Sequence, residues 1–151
     1  MMDGLVDWVA HIDTVVEWMS TFAAVTLFVA TVAGALAKRT YWATMLYAGQ
    51  CDAALANPKF SNPELGKFDL RDKTYNGEKT EFERYEWYVA RLVYVLDGAM
   101  RLAPYQQWRA VAKTQLSNHK HYFASDYYAR QGYVSHYSPR MRKLIQQQRA
   151  A

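Results

Sequence analysis

Twenty consecutive residues, Trp18 to Ala37 (WMSTFAAVTLFVATVAGALA), carry no charge, and Lys38-Arg39 follows directly. A helix rises about 1.5 Å per residue, so the run covers about 30 Å, the thickness of a bilayer's hydrocarbon core. A surface helix of a soluble domain shows a polar face over such a length. Here the polar groups are Ser20, Thr21, Thr26 and Thr31, hydroxyls able to bond back to their own helix. Seven Val, Leu and Phe side chains each favour insertion by about 0.3–0.6 kcal/mol. Trp18 at one edge, and Tyr41 and Trp42 beyond the other, suit an aromatic belt. Lys38 and Arg39 mark the cytoplasmic side. The sequence predicts a transmembrane helix over residues 18–38, N-terminus outside and the C-terminal domain cytoplasmic, with a bacterial inner membrane as the expected location. The competing expectation is the buried central helix of a soluble protein. A cleaved signal peptide fits poorly, because its first region is basic, whereas residues 1–17 carry Asp3, Asp7, Asp13 and Glu17 and no Lys or Arg.

Projected at 100° per residue, the run divides into two faces. Ser20, Ala23, Ala24, Thr31, Gly34 and Ala35 gather on one side, with Leu27 among them; Phe22, Val25, Phe28, Val29, Val32 and Leu36 gather on the other. Small residues let a second helix approach closely, and bulky ones suit lipid. The small face is therefore expected to dock on integral membrane protein subunits, with Trp18, Lys38, Arg39, Tyr41 and Trp42 as anchors at the membrane interfaces. Ala and Thr are common in spans, so composition alone accounts for part of this division.

The rest of the 151-residue chain reads as all-α, with seven Gly, four Pro and few alternating runs. Leu5, Trp8, Val9, Ile12 and Val16 fall at helical spacing in the acidic segment 1–17, expected as an amphipathic helix on the outer surface. The spanning helix should extend inward over 39–56 and stop at Asn57-Pro58. Residues 57–79 read as a loop, with Pro58, Pro63, Gly66 and Asn76-Gly77, whose Phe60, Leu65, Phe68 and Leu70 should pack on something. Residues 80–151 form the expected helical, bundle-like domain. A capping box, Thr80-x-x-Glu83, opens a helix to about Leu102 with Phe82, Tyr85, Val89, Leu92, Leu96 and Ala99 as its stripe. Asp97 and Arg101 read as an exposed pair on it. Pro104 starts the next helix, striped by Trp108, Val111, Ala112, Leu116, His119 and Phe123. Ser138-Pro139 caps a last one.

Catalytic and cofactor motifs are missing from the sequence, so no enzyme activity, cofactor or metal site is expected. The single cysteine, Cys51, allows no internal disulfide and reads as a packing residue. His119 and His121 would point about 200° apart on a helix and cannot share a metal. His119 falls on the apolar stripe and reads as structural. The bunched Glu78, Glu81, Glu83 and Glu86 complement the macrodipole at a helix start.

Charge is uneven. The net +4 hides a −4 over residues 1–17 and a +8 over the remainder. From Gly98 onward Asp126 faces nine Lys and Arg, interleaved with Tyr122, Phe123, Tyr127, Tyr128, Tyr133 and Tyr137. Arg130, Tyr133, Tyr137, Arg140, Arg142 and Lys143 are the expected contacts to a partner or to anionic lipid. Single-stranded nucleic acid would use the same residue types, but lies further from a membrane-tethered surface. These readings converge on a non-catalytic accessory or assembly subunit of a larger inner-membrane complex, photosynthetic or respiratory. The alternative is a membrane-anchored sensor or defence effector that binds a nucleotide or nucleic-acid signal. A deep polar pocket between the helices starting at Thr80 and Pro104 would favour it.

Overall fold

A computed structural model describes residues 3–64, 67–103 and 105–150, with side chains apart from those of residues 3–13 and Tyr105. Leu65, Gly66 and Pro104 lie outside what is described. Leu5, Trp8, Val9 and Ile12 are helical, continuous with the apolar run rather than in a separate helix, while the facing of their side chains lies outside what is described. The fold is all-α, with one long apolar N-terminal helix. The chain divides into two compact units, Met1–Lys38 and Arg39–Ala151, and the division falls at the charge break after the apolar run.

Helix α1, Asp3–Ala56, runs through both units. In the first, every residue from Thr14 to Lys38 is exposed. In the second, α1 becomes one-sided. Thr40, Ala43, Tyr47, Gln50 and Ala54 turn inward at helical spacing, while Tyr41, Trp42, Met45, Leu46, Cys51 and Leu55 face out. The expectation that Cys51 packs is therefore corrected: its thiol is exposed. Asn57 ends α1 as expected, its N–H reaching Ala53 and Ala54 carbonyls.

The segment expected as a loop carries structure. Helix α2, Pro58–Ser61, buries Phe60. Strands β1, Phe68–Asp69, and β2, Thr74–Tyr75, pair antiparallel with Phe68 opposite Tyr75. Phe68 and Leu70 pack against the core. The hairpin also corrects the next helix start. Tyr75 and Glu78 exchange both backbone hydrogen bonds, so helix α3 begins immediately after, at Lys79. Thr80 is then already inside the helix, and no side chain caps it.

Helix α3, Lys79–Leu102, is the spine of this unit, and Phe82, Tyr85, Val89, Leu92, Leu96 and Ala99 are all buried. Helices α4, Tyr105–Ser117, and α7, Pro139–Ala150, pack on it and on each other. Between them lie α5, Lys120–Ala124, α6, Asp126–Arg130, and a 3-10 turn, Tyr133–His136. The stripe through Trp108, Val111, Ala112, Leu116, His119 and Phe123 does turn inward, but the helix breaks after Ser117. Asn118 there donates its amide to the Ser61 carbonyl at 3.3 Å. The part of α1 after Lys38 lies antiparallel beside α3. Arg39 donates to the Arg101 carbonyl (3.0 Å), Leu46 lies against Gly98, and Arg91 donates to the Gly49 carbonyl (2.7 Å).

Asp97 is not the exposed partner expected of it. Its side chain is buried, and both oxygens are in use. Oδ2 accepts from Arg101 at 2.6 Å and from the Ser138 N–H at 3.0 Å, and Oδ1 accepts from the Ser138 hydroxyl. Ser138 Oγ in turn accepts from the Met141 N–H, the cap expected of Ser138-Pro139. One carboxylate thus fixes the start of α7 to α3. Replacing it strands two donors in a half-buried site, at about 1–3 kcal/mol of desolvation. Asp97→Ala should lower unfolding free energy by about 2–3 kcal/mol and Arg101→Ala by under about 1 kcal/mol. Denaturant melts of the purified protein followed by tryptophan fluorescence check both values.

Candidate functional site

The apolar run exposes Trp18 (73%), Phe22 (76%), Leu27 (70%) and Phe28 (69%), with Met19, Val25, Val29, Val32 and Leu36 also uncovered. None of the residues in its most apolar window is buried. The core helix of a soluble protein is mostly buried, and this run is not covered by the described residues. The hydroxyls are turned inward on their own helix. Ser20 and Thr21 donate to the Glu17 carbonyl, Thr26 to Phe22 and Thr31 to Leu27, all at 2.8 Å. The helix is long and apolar enough to cross a membrane. On the small face, Ser20, Ala23, Ala24, Thr31, Gly34 and Ala35 are all exposed, and a Cβ added at Gly34 would meet nothing within 4 Å.

At the other side of the charge break, Arg39, Arg101, Asp97 and Ser138 form a hydrogen-bonded series. It gathers the last turn of α3, the first turn of α7 and the start of the inward part of α1. Beside it a cleft of about 510 Å³ is lined by Leu46, Tyr94, Gly98, Leu102, His136 and Tyr137, with Asp97 and Arg101 at its polar edge. Tyr94 is 74% exposed there. Farther along α3, the exposed Trp87 and Ala90 share a second cleft with Glu83, Glu86, Tyr133 and Tyr137. Of the anticipated contact residues, Tyr133 and Tyr137 therefore meet at one cleft wall. Arg140, Arg142 and Lys143 lie exposed on α7, whose inward side is Met141, Leu144 and Ile145. Arg130 is apart from them, on α6, bonding back to the Asp126 carbonyl.

The expected interleaving of basic and aromatic side chains on one surface does not occur. Tyr122, Phe123 and Tyr128 are buried, Tyr127 and Tyr137 are half-buried, and Tyr133 is the exposed one of the six. The rings belong to the core because each short helix turns its aromatic positions inward and its basic ones outward. Burial of phenols requires acceptors. Glu86 supplies one, its Oε1 accepting from Tyr122 (2.8 Å) and Tyr127 (2.9 Å). Desolvation and that carboxylate raise both phenols' pKa. Glu81 is likewise committed, paired with Lys59 and Arg84. Sequence reasoning assigned these glutamates to the helix dipole and missed their long-range partners.

His119 is the buried histidine among the described residues. Its Nδ1 lies 3.0 Å from the Tyr85 hydroxyl, and its buried Nε2 has no hydrogen-bond partner among the described residues. Tyr88 and Phe123 rings flank it. A cleft of about 280 Å³ adjoins it, lined by Pro63, Phe68, Leu70, Tyr85 and Tyr122 together with Asp69, Asn118, His119 and His121. Its walls are mostly apolar, and no Lys or Arg is among its described lining residues. It is not the polar pocket a nucleotide would require. No group of three or more His, Cys, Asp or Glu stands at metal-binding distance among the described residues.

No protein-family model, curated protein or solved structure matches this chain.

Burial holds the His119 imidazole down to about 4. In the unfolded chain it titrates near its ordinary value, so between these limits the unfolded state binds the extra proton. The stabilisation is present above the unfolded pKa and is lost as pH falls toward the folded one. By about pH 5 the loss from this group reaches about 2 kcal/mol. Denaturation midpoints at neutral pH and at pH 5 should show the drop, and His119→Phe should show about 2 kcal/mol less of it.

Proposed function

We propose that this chain is a single-pass, non-catalytic accessory subunit of an integral-membrane assembly in a bacterial inner membrane. α1 spans the bilayer over residues 18–38, and residues 39–151 form a cytoplasmic helical domain. The observation that carries the reading is the complete exposure of residues 14–38 on a helix with no polar face. Fully burying one large apolar side chain is worth about 1.5–3 kcal/mol, so a surface of this composition is covered by lipid or by neighbouring helices. The face with Ala23, Ala24, Gly34 and Ala35 admits a helix at close range, and the opposite face of Phe22, Val25, Phe28 and Val32 suits acyl chains. The basic excess after Ala37 supports an inward C-terminus. The exposed Arg140, Arg142 and Lys143 then suit the acidic cytoplasmic surface of a neighbouring subunit. The cleft beside His119 does not favour the sensor alternative, because its lining is mostly apolar and includes no Lys or Arg.

Two measurements test the reading. Affinity purification of the full chain from membranes in mild detergent should return integral membrane subunits at fixed ratio. Gly34→Leu should reduce their recovery about tenfold, while membrane insertion is unchanged. Equal recovery from the variant removes the docking face. Orientation is read from Cys51, the chain's one thiol, which is exposed. A membrane-impermeant maleimide should leave it unlabelled in intact spheroplasts and label it after permeabilisation. Labelling of intact spheroplasts places the domain outside.

A further inference from the structure

We infer that the cleft formed by Leu46, Tyr94, Gly98, Leu102 and Tyr137 is a binding site for an anionic phospholipid. This inference rests on the membrane reading above. The cleft is the roomiest described on the domain, at about 510 Å³, and its walls are apolar apart from one edge. That edge carries Arg101, whose guanidinium is largely exposed even while paired with Asp97. Arg39 sits one hydrogen bond away, on the Arg101 carbonyl. Arg101 thus lines an otherwise mostly apolar cleft, with Arg39 held on its carbonyl.

The Asp97 carboxylate, which also lines the cleft, is committed to partners within the fold. Both Asp97 oxygens are occupied by Arg101 and by the Ser138 N–H and hydroxyl. Its charge balances that of Arg101, while Arg39 has no carboxylate within ion-pair distance among the described residues, and further guanidinium N–H groups remain for a ligand. A guanidinium presents paired N–H groups that match two oxygens of a phosphate. Tyr94 and Leu46 are exposed beside it, a surface that would suit the glycerol backbone and upper acyl carbons.

Continuity with the span selects the occupant. Leu46, one wall of the cleft, follows the uncharged run by nine residues on the same uninterrupted helix. Tyr41 and Trp42, both exposed, lie between them in sequence. Arg39 is the second residue after the run. On the membrane reading, the chain enters the cytoplasmic headgroup layer at these residues. Each Lys or Arg near an anionic leaflet contributes about 1 kcal/mol. A phosphate with attached acyl chains satisfies the rim and the walls together. A soluble phosphate satisfies the rim alone.

The test uses the full-length chain, delipidated in mild detergent and titrated with phosphatidylglycerol or phosphatidylcholine, with bound lipid counted by native mass spectrometry. One phosphatidylglycerol should bind about tenfold more tightly than phosphatidylcholine. The double variant Arg39→Gln/Arg101→Gln should lose that preference. Gly98→Leu, which fills the cleft and leaves every charge in place, should weaken phosphatidylglycerol binding. Far-ultraviolet circular dichroism melts confirm that each variant is folded. Equal binding of the two lipids, or undiminished binding by folded Gly98→Leu, overturns the site. Displacement of the lipid by millimolar glycerol phosphate also overturns it, since the rim would then read phosphate alone. Alkaline carbonate extraction of native membranes separates the two failures. A chain that stays in the pellet without lipid preference loses only this site. A chain released by carbonate loses the membrane reading itself.

Discussion

The hydrogen-bonding capacity of the apolar run is consumed within its own helix. Backbone groups pair along α1, and the four hydroxyls fold back onto carbonyls one turn earlier. What remains outward is hydrocarbon and aromatic surface, with no polar face to turn toward water. The rest of the chain is organised around that constraint. The same helix that offers nothing to water on one side of Lys38-Arg39 becomes amphipathic on the other. There Thr40, Ala43, Tyr47, Gln50 and Ala54 turn inward, with the Tyr47 ring against Trp108 of α4. The second compact unit begins at Arg39, two residues after the charge-free run ends.

A domain of this size has few residues with which to close a core, and it uses rings. Phe60, Phe68, Tyr75, Tyr85, Tyr122, Phe123 and Tyr128 meet in edge and tilted contacts, with Tyr75 and Tyr85 stacked, and centroids 4.5–6.4 Å apart. Aromatic pairs contribute about 0.5–1.5 kcal/mol beyond burial. Tyrosine brings a hydroxyl that must be satisfied. Glu86 serves two of them, His119 serves Tyr85, and Ser61 serves Tyr88. The polar contacts inside this domain are consequences of building a core from tyrosine.

Periodicity made much of this legible. The stripes of α3 and of the segment from Trp108 to Phe123 turn inward as their spacing requires, and the hydroxyls of the apolar run bond back as expected. Pairings across the fold were not legible. Asp97 and Arg101 look like a solvated i,i+4 pair until the Ser138 N–H and hydroxyl, 41 residues on, arrive at the same carboxylate. Thr80 and Glu83 satisfy a capping pattern, but the hairpin claims the Glu78 backbone and moves the helix start. The basic-aromatic tract misleads for a related reason. Composition records which residues alternate, and only the short helices α5 and α6 decide that the rings turn in and the cations out. Cys51 shows the limit of local reading, since the helix position that exposes it is set by the stripe from Thr40 to Ala54.

Arg39 draws these strands together. Within the domain it caps the end of α3, where the last carbonyls lack helical partners and the dipole is negative. A lysine could supply the charge there, but not the planar fork that leaves further donors free after one bond is made. In the proposed orientation the same residue follows the span and contributes to the positive side. Folding and insertion would then draw on a single side chain. Insertion responds to charge alone, so Arg39→Lys should leave orientation unchanged while it loosens the α3 end. A substitution that separates the two effects is informative because α1 runs without a break from the apolar run into the domain.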